Sequence, residues 1–112
     1  MPLERFYIGF PAQRPLEFEA LGAGVAAGDP DLSTVTAVTL QVNKPGMSVL
    51  EEVTWDADID AQSEFGVLGH YDFASGDLDR EGTYRVMIML ALPSHPNGLP
   101  VGPVLFEGLY RG

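Results

Sequence analysis

Hydrophobic and polar residues alternate along most of this chain with a period of two, the spacing of a strand that buries one face. The clearest run spans 36–43, where Val38, Leu40 and Val42 point one way and Thr39, Gln41 and Asn43 the other. Over 53–60, Val53, Trp55, Ala57 and Ile59 share a face, and Thr54, Asp56, Asp58 and Asp60 share the opposite one. A slip of one residue would bury three aspartates, so this register is strongly specified. Other runs fall over 4–10, ended by Pro11, and over 15–21, where Leu16, Phe18 and Ala20 alternate with Glu17 and Glu19. A fifth covers 67–73, with Tyr71 and Phe73 inward and His70 outward. The run over 83–92 is apolar on both sides: Tyr84, Val86, Ile88 and Leu90 on one, Met87, Met89 and Ala91 on the other. That pattern marks a central strand, or one whose outer face is covered. A last run, 103–110, closes the series.

Between the runs lie turn signals. Thirteen glycines and nine prolines punctuate the chain about every ten residues. Lys44-Pro45-Gly46 and the 93–98 segment read as turns, and the 22–31 segment reads as a loop. Ala and Leu near that loop favour a turn of helix, but Gly22, Gly24 and Gly28 oppose it. No stripe of period 3.6 and no internal repeat is present. Seven short strands in about a hundred residues predict an all-β chain: an antiparallel immunoglobulin-like β-sandwich forming a single domain over 1–112.

Charge narrows the partners. Sixteen acidic residues against six basic ones give a net charge of −10. A phosphate backbone repels such a surface, so neither nucleic acid nor an anionic membrane is an expected partner. With no cysteine there is no disulfide framework, thiolate metal cage or cysteine nucleophile. The start of the chain shows no basic leader followed by an apolar stretch. The expected location is therefore the cytoplasm, or a virion or other assembled particle.

Two resemblances add to this reading. Leu78, Gly82, Thr83 and Tyr84 resemble the tyrosine corner of many immunoglobulin-like folds, in which the phenol hydroxyl bonds back to upstream backbone. Across 15–92, Asp31-Leu32-Ser33, Val38-Thr39-Leu40-Gln41-Val42, Lys44-Pro45-Gly46, Val53-Thr54-Trp55, Tyr71-Asp72-Phe73, Gly76-Asp77-Leu78-Asp79 and Gly82-Thr83-Tyr84 follow one another. This succession is similar to the small immunoglobulin-like domains of phage and prophage baseplate, tail and head-decoration proteins. The baseplate upper protein's N-terminal domain is one example. The resemblance implies a docking module within an assembly or on its surface. It carries over no catalytic or binding residue.

Candidate chemistry is sparse. Asp56, Asp58 and Asp60 begin like a calcium loop, but the sixth position is Ala61 instead of Gly and the twelfth is Val67 instead of Glu. Strand alternation explains the triplet as a solvated face, although neighbouring carboxylates repel and a cation would relieve them. The triplet therefore stands as a weak divalent-cation candidate. Asp72, Asp77, Asp79 and Glu81 read as turn chemistry. His70 and His95 have no spacing typical of metal ligands. No serine sits in a nucleophile-elbow context.

Met87 and Met89 form an adaptable apolar face, either core or an interface. Phe65, between Glu64 and Gly66, is the best candidate for an exposed anchor, alongside Phe10. The expectation is a non-enzymatic protein-interaction module with no cofactor, acting through Met87, Met89 and Phe65 on a protein partner or on further copies of itself as a homo-oligomer. The alternative is a stand-alone β-domain that binds a carbohydrate or a divalent cation.

Overall fold

In the computed structural model, which describes residues 3–10, 12–48 and 51–110, seven strands follow one another along the chain. They are β1 (Glu4–Tyr7), β2 (Leu16–Leu21), β3 (Ala37–Asn43), β4 (Val53–Ser63), β5 (Gly66–Tyr71), β6 (Gly82–Leu92) and β7 (His95–Leu109). Hydrogen bonds join them in the order β1-β7-β6-β3-β4-β5-β2. Only β1 and β7 run parallel, and every other neighbouring pair is antiparallel. Two single turns of 3-10 helix, Val25–Ala27 and Leu32–Thr34, lie between β2 and β3. Among the described residues no helix is long and apolar enough to cross a membrane.

The sheet curls through β4. Residues 53–57 of that strand pair with β3, and residues 58, 59 and 61–63 pair with β5. Each part turns its apolar positions to the same side, so residues from both ends of the strand order meet in one buried cluster. Trp55 stacks on Tyr71 with ring centroids 4.8 Å apart. Phe73, just past β5, meets Phe6 of β1 at 4.9 Å and Phe106 of β7 at 6.1 Å, edge to face. Such ring pairs add about 0.5–1.5 kcal/mol each beyond the area they bury. Gly69 explains how closely β2 and β4 flank β5. A Cβ there would collide with the Phe18 ring and with the Asp58 carbonyl.

The tyrosine corner forms. The Tyr84 hydroxyl accepts a hydrogen bond from the Arg80 amide at 3.0 Å and donates one to the Arg80 carbonyl at 2.8 Å. Its ring stacks on Phe106.

Strand ends differ from the sequence expectation in particular places. The first run stops at Tyr7 and the fifth at Tyr71, although Phe73 is still buried. The fourth run extends to Ser63. The largest difference is at the end, where β7 begins at His95 and the expected 93–98 turn shrinks to Pro93 and Ser94. Pro96 and Pro100 disguise the first part of this strand as turn. They are tolerated because, among the described residues, β1 pairs only with 106–109, and the outer side of 95–105 is an edge that needs no amide donors. Two register shifts against β6 absorb the extra residues.

Candidate functional site

The part of the sheet made by the end of β4, β5 and β2 shows solvent an acidic face. Leu16, Phe18 and Ala20 of β2 and Val67 of β5 point into the core. Glu17 and Glu19 therefore point out, in line with the exposed Asp58 and Asp60 of β4.

One base stands among these acids. His70 of β5 lies directly opposite Asp58 on one side and Glu17 on the other. Asp72, two residues further on, lies on the same side as His70. Asp60 arrives by a different route. The register between β4 and β5 shifts between Ile59 and Ala61, leaving Asp60 without a cross-strand partner. This is a β-bulge, a device that re-aims a side chain.

The distances divide the imidazole into two ends. Asp60 holds Nδ1, with its two oxygens at 2.8 and 2.9 Å. Nε2 faces Asp58 at 3.6 Å and Asp72 at 3.4 Å, beyond good hydrogen-bond length. The His70 side chain is 27% exposed, whereas Asp58 and Asp72 stand mostly in water. The hydrogen bond to Asp60 is the main cause that raises the His70 pKa above its usual 6.5. Partial burial opposes the rise, and the charges of Asp60, Asp72 and Asp58 add to it. One imidazole nitrogen and two carboxylate oxygens, from Asp58, His70 and Asp72, come within 4.8 Å of one another.

The acidic triplet named from sequence is thus divided. Asp58 and Asp60 meet His70, while Asp56 lies opposite Thr39 on the β3 side of the bend. Asp72, read from sequence as a turn residue, joins the cluster instead. Asp77 does serve its turn, accepting from the Tyr71 hydroxyl and from the Ala74 amide. Asp79 pairs with the buried Lys44 at 2.9 Å. His95 opens β7, with its Nδ1 2.9 Å from the Ser94 hydroxyl.

The apolar candidates fall in two other places. Met87 and Met89 sit on the outer side of β6, half-buried and outside the core cluster. Met87 lines a depression of about 210 Å³ with Gln41, Asn43, Glu52 and Arg85. Phe65 stands in the two-residue turn between β4 and β5 and is 53% exposed. Leu21, 70% exposed, and Leu68, 45% exposed, accompany it around an open hollow of about 310 Å³, with Glu19 at the rim. Gly24, at φ +91°, lies under the Phe65 ring, where any Cβ would collide with it. The sequence reading found Phe65 but missed Leu21 and Leu68, whose strands bring them to the same spot.

No protein-family model, curated protein or solved structure matches the chain. Its class is therefore given by its own architecture, an all-β protein built on one curled, mixed, seven-stranded sheet.

Proposed function

We propose that this protein is a non-enzymatic interaction module of immunoglobulin-like architecture, acting as a docking unit in a phage-like or other macromolecular assembly. The architecture is supported by the parallel seating of β1 beside β7, the sharing of β4 between two parts of the sheet, and the Tyr84 corner. The observation that carries the docking role is the apolar tip of Leu21, Phe65 and Leu68, three large side chains left in water around one hollow. Exposed apolar groups gathered in one place and rimmed by polar residues mark association surfaces. Glu19 and Glu64 near the tip favour a partner that brings an apolar side chain beside basic groups. The Met87 depression, where Arg85 stands beside Met87 with Glu52 also in the lining, is the surface on a further copy of this chain that we take as the partner.

Solution mass tests this reading, measured by size exclusion with light scattering over a range of concentrations. The expected result is an oligomer that Phe65→Asp converts to folded monomer. If Met87→Glu dissolves the same oligomer, the contact is head to tail between the two patches. Dissolution by Met87→Glu alone moves the interface to the outer side of β6. A strict monomer at every concentration overturns the self-associating form of the proposal.

A further inference from the structure

We propose that Asp58, His70 and Asp72 form a binding site for one divalent first-row transition-metal ion of the zinc type, with Asp60 as its positioning residue. This goes beyond the docking role and does not depend on it.

The geometry of Nε2 is the starting point. A zinc ion holds nitrogen and oxygen ligands at about 2.0–2.2 Å in a tetrahedron, which sets neighbouring ligand atoms roughly 3.3–3.6 Å apart. Nε2 lies 3.4 Å from the Asp72 oxygen and 3.6 Å from the Asp58 oxygen. These separations are long for hydrogen bonds and right for two edges of such a tetrahedron. Asp60 takes the hydrogen bond at Nδ1 at 2.8 Å, so Nε2 meets Asp58 and Asp72 through charge alone.

Asp60 supplies the other half of the argument. Metal-ligating histidines give their second ring nitrogen to a carboxylate or a carbonyl, which fixes the tautomer and aims the first nitrogen at the metal. Here a bulge in β4 is used to bring a carboxylate to Nδ1, and the freed Nε2 then points between two further carboxylates. The ligands come from two paired strands and the residue just past one of them, so the sheet holds their spacing. Charge agrees, because three carboxylates surround one imidazole, and Glu17 stands across the strand pair on the other side. An imidazole nitrogen in the set favours zinc, cobalt or nickel over calcium and magnesium, which take oxygen ligands. Three protein ligands leave coordination positions open to water, so binding is weaker than in a closed structural site.

The test uses the full chain after chelator treatment. Zinc is added in a calorimetric titration, cobalt is followed by its visible absorption, and the histidine ring signals are read by NMR. The expected result is one saturable zinc ion per chain, a zinc-dependent rise in melting temperature, and a shift of the His70 ring while His95 stays still. His70→Ala and Asp72→Asn abolish saturable binding. Asp60→Ala weakens it about tenfold, the scale of losing a carboxylate behind a ligating histidine. Asp56→Asn, on the same strand but outside the cluster, leaves it unchanged. Circular dichroism establishes that each variant is folded, and His70→Gln repeats the loss with a side chain closer in size.

Two results would overturn the proposal. One is the absence of saturable zinc uptake at millimolar metal. The other is binding that Asp56→Asn weakens as much as Asp58→Asn does and that magnesium competes away, which would mean a diffuse acidic surface. Neither result touches the oligomer measurement, so the two proposals fail separately.

Discussion

Two ionic clusters on this sheet make opposite use of the same kinds of residue. Lys44, just past β3, is 7% exposed and is matched one to one. Its ammonium meets Asp79 at 2.9 Å and donates to the Gly76 carbonyl at 3.3 Å. His70 stands at the surface with three aspartates around it and no such balance. An unpaired charge in the interior costs several kcal/mol, so burial enforces pairing. Exposed groups are screened by water and tolerate an excess of one sign. The Lys44 pair thus leaves no excess charge for a ligand, whereas the exposed cluster keeps an excess of negative charge around Nε2.

Breaking the buried pair has the largest expected effect. Lys44→Ala strands Asp79 and empties the space beneath the turn. Removing one partner of a fully buried pair costs about 3–5 kcal/mol. Because Asp79 is half in water, about 2 kcal/mol is expected here, read as a lower denaturant midpoint with unchanged slope. Lys44→Met, which keeps the stem, loses less.

Next comes the corner. Tyr84→Phe keeps the stacked ring but leaves the Arg80 amide and carbonyl without the hydroxyl, a loss of about 1–2 kcal/mol in the same measurement.

An alkaline titration sharpens the contrast between inside and outside. Burial is the main cause that raises the Tyr71 and Tyr84 phenols above their ordinary pKa, and the hydrogen bond to Asp77 adds to it for Tyr71. Unfolded tyrosines ionise near pH 10. Both groups therefore bind their protons more tightly in the folded state. The stability this contributes is fully present below about pH 10 and drains away as pH rises through the folded values. Absorbance should show late-ionising phenols, and Tyr71→Phe or Tyr84→Phe should each remove one of them.

The smallest effect falls on the exposed cluster. In chelator, His70→Gln should leave the melting curve nearly where it was, because water screens the remaining aspartates. A large drop would mean that His70 is structural, like Lys44, and would erase the distinction between the two clusters.

How far these clusters could be read from the chain follows from their geometry. The outward comb of Asp56, Asp58 and Asp60 was plain from alternation, and so was an outward His70. Their meeting was not. The turn at Glu64 and Phe65 sets Ser63 opposite Gly66 and Ala61 opposite Leu68. Continued without a bulge, that pairing would have set Ile59 against His70. The shift before Ala61 puts Asp58 there instead and swings Asp60 to the other ring nitrogen. Lys44 shows the same limit, since Lys44-Pro45-Gly46 reads as a turn and nothing local says that the lysine runs inward to Asp79, 35 residues away.

What the sequence by itself determined was therefore what depends on nearest neighbours: the period of two, the inward and outward faces, most of the turns though not 93–98, the tyrosine corner and the exposure of Phe65. These follow from steric preferences and from the cost of burying charge, both set within a few residues. Tertiary structure alone decided the curl through β4, the pairing of His70 with acids from another strand, and the gathering of Leu21 and Leu68 around Phe65. Each of these depends on strand register over long separations, where a single bulged residue changes which side chains meet.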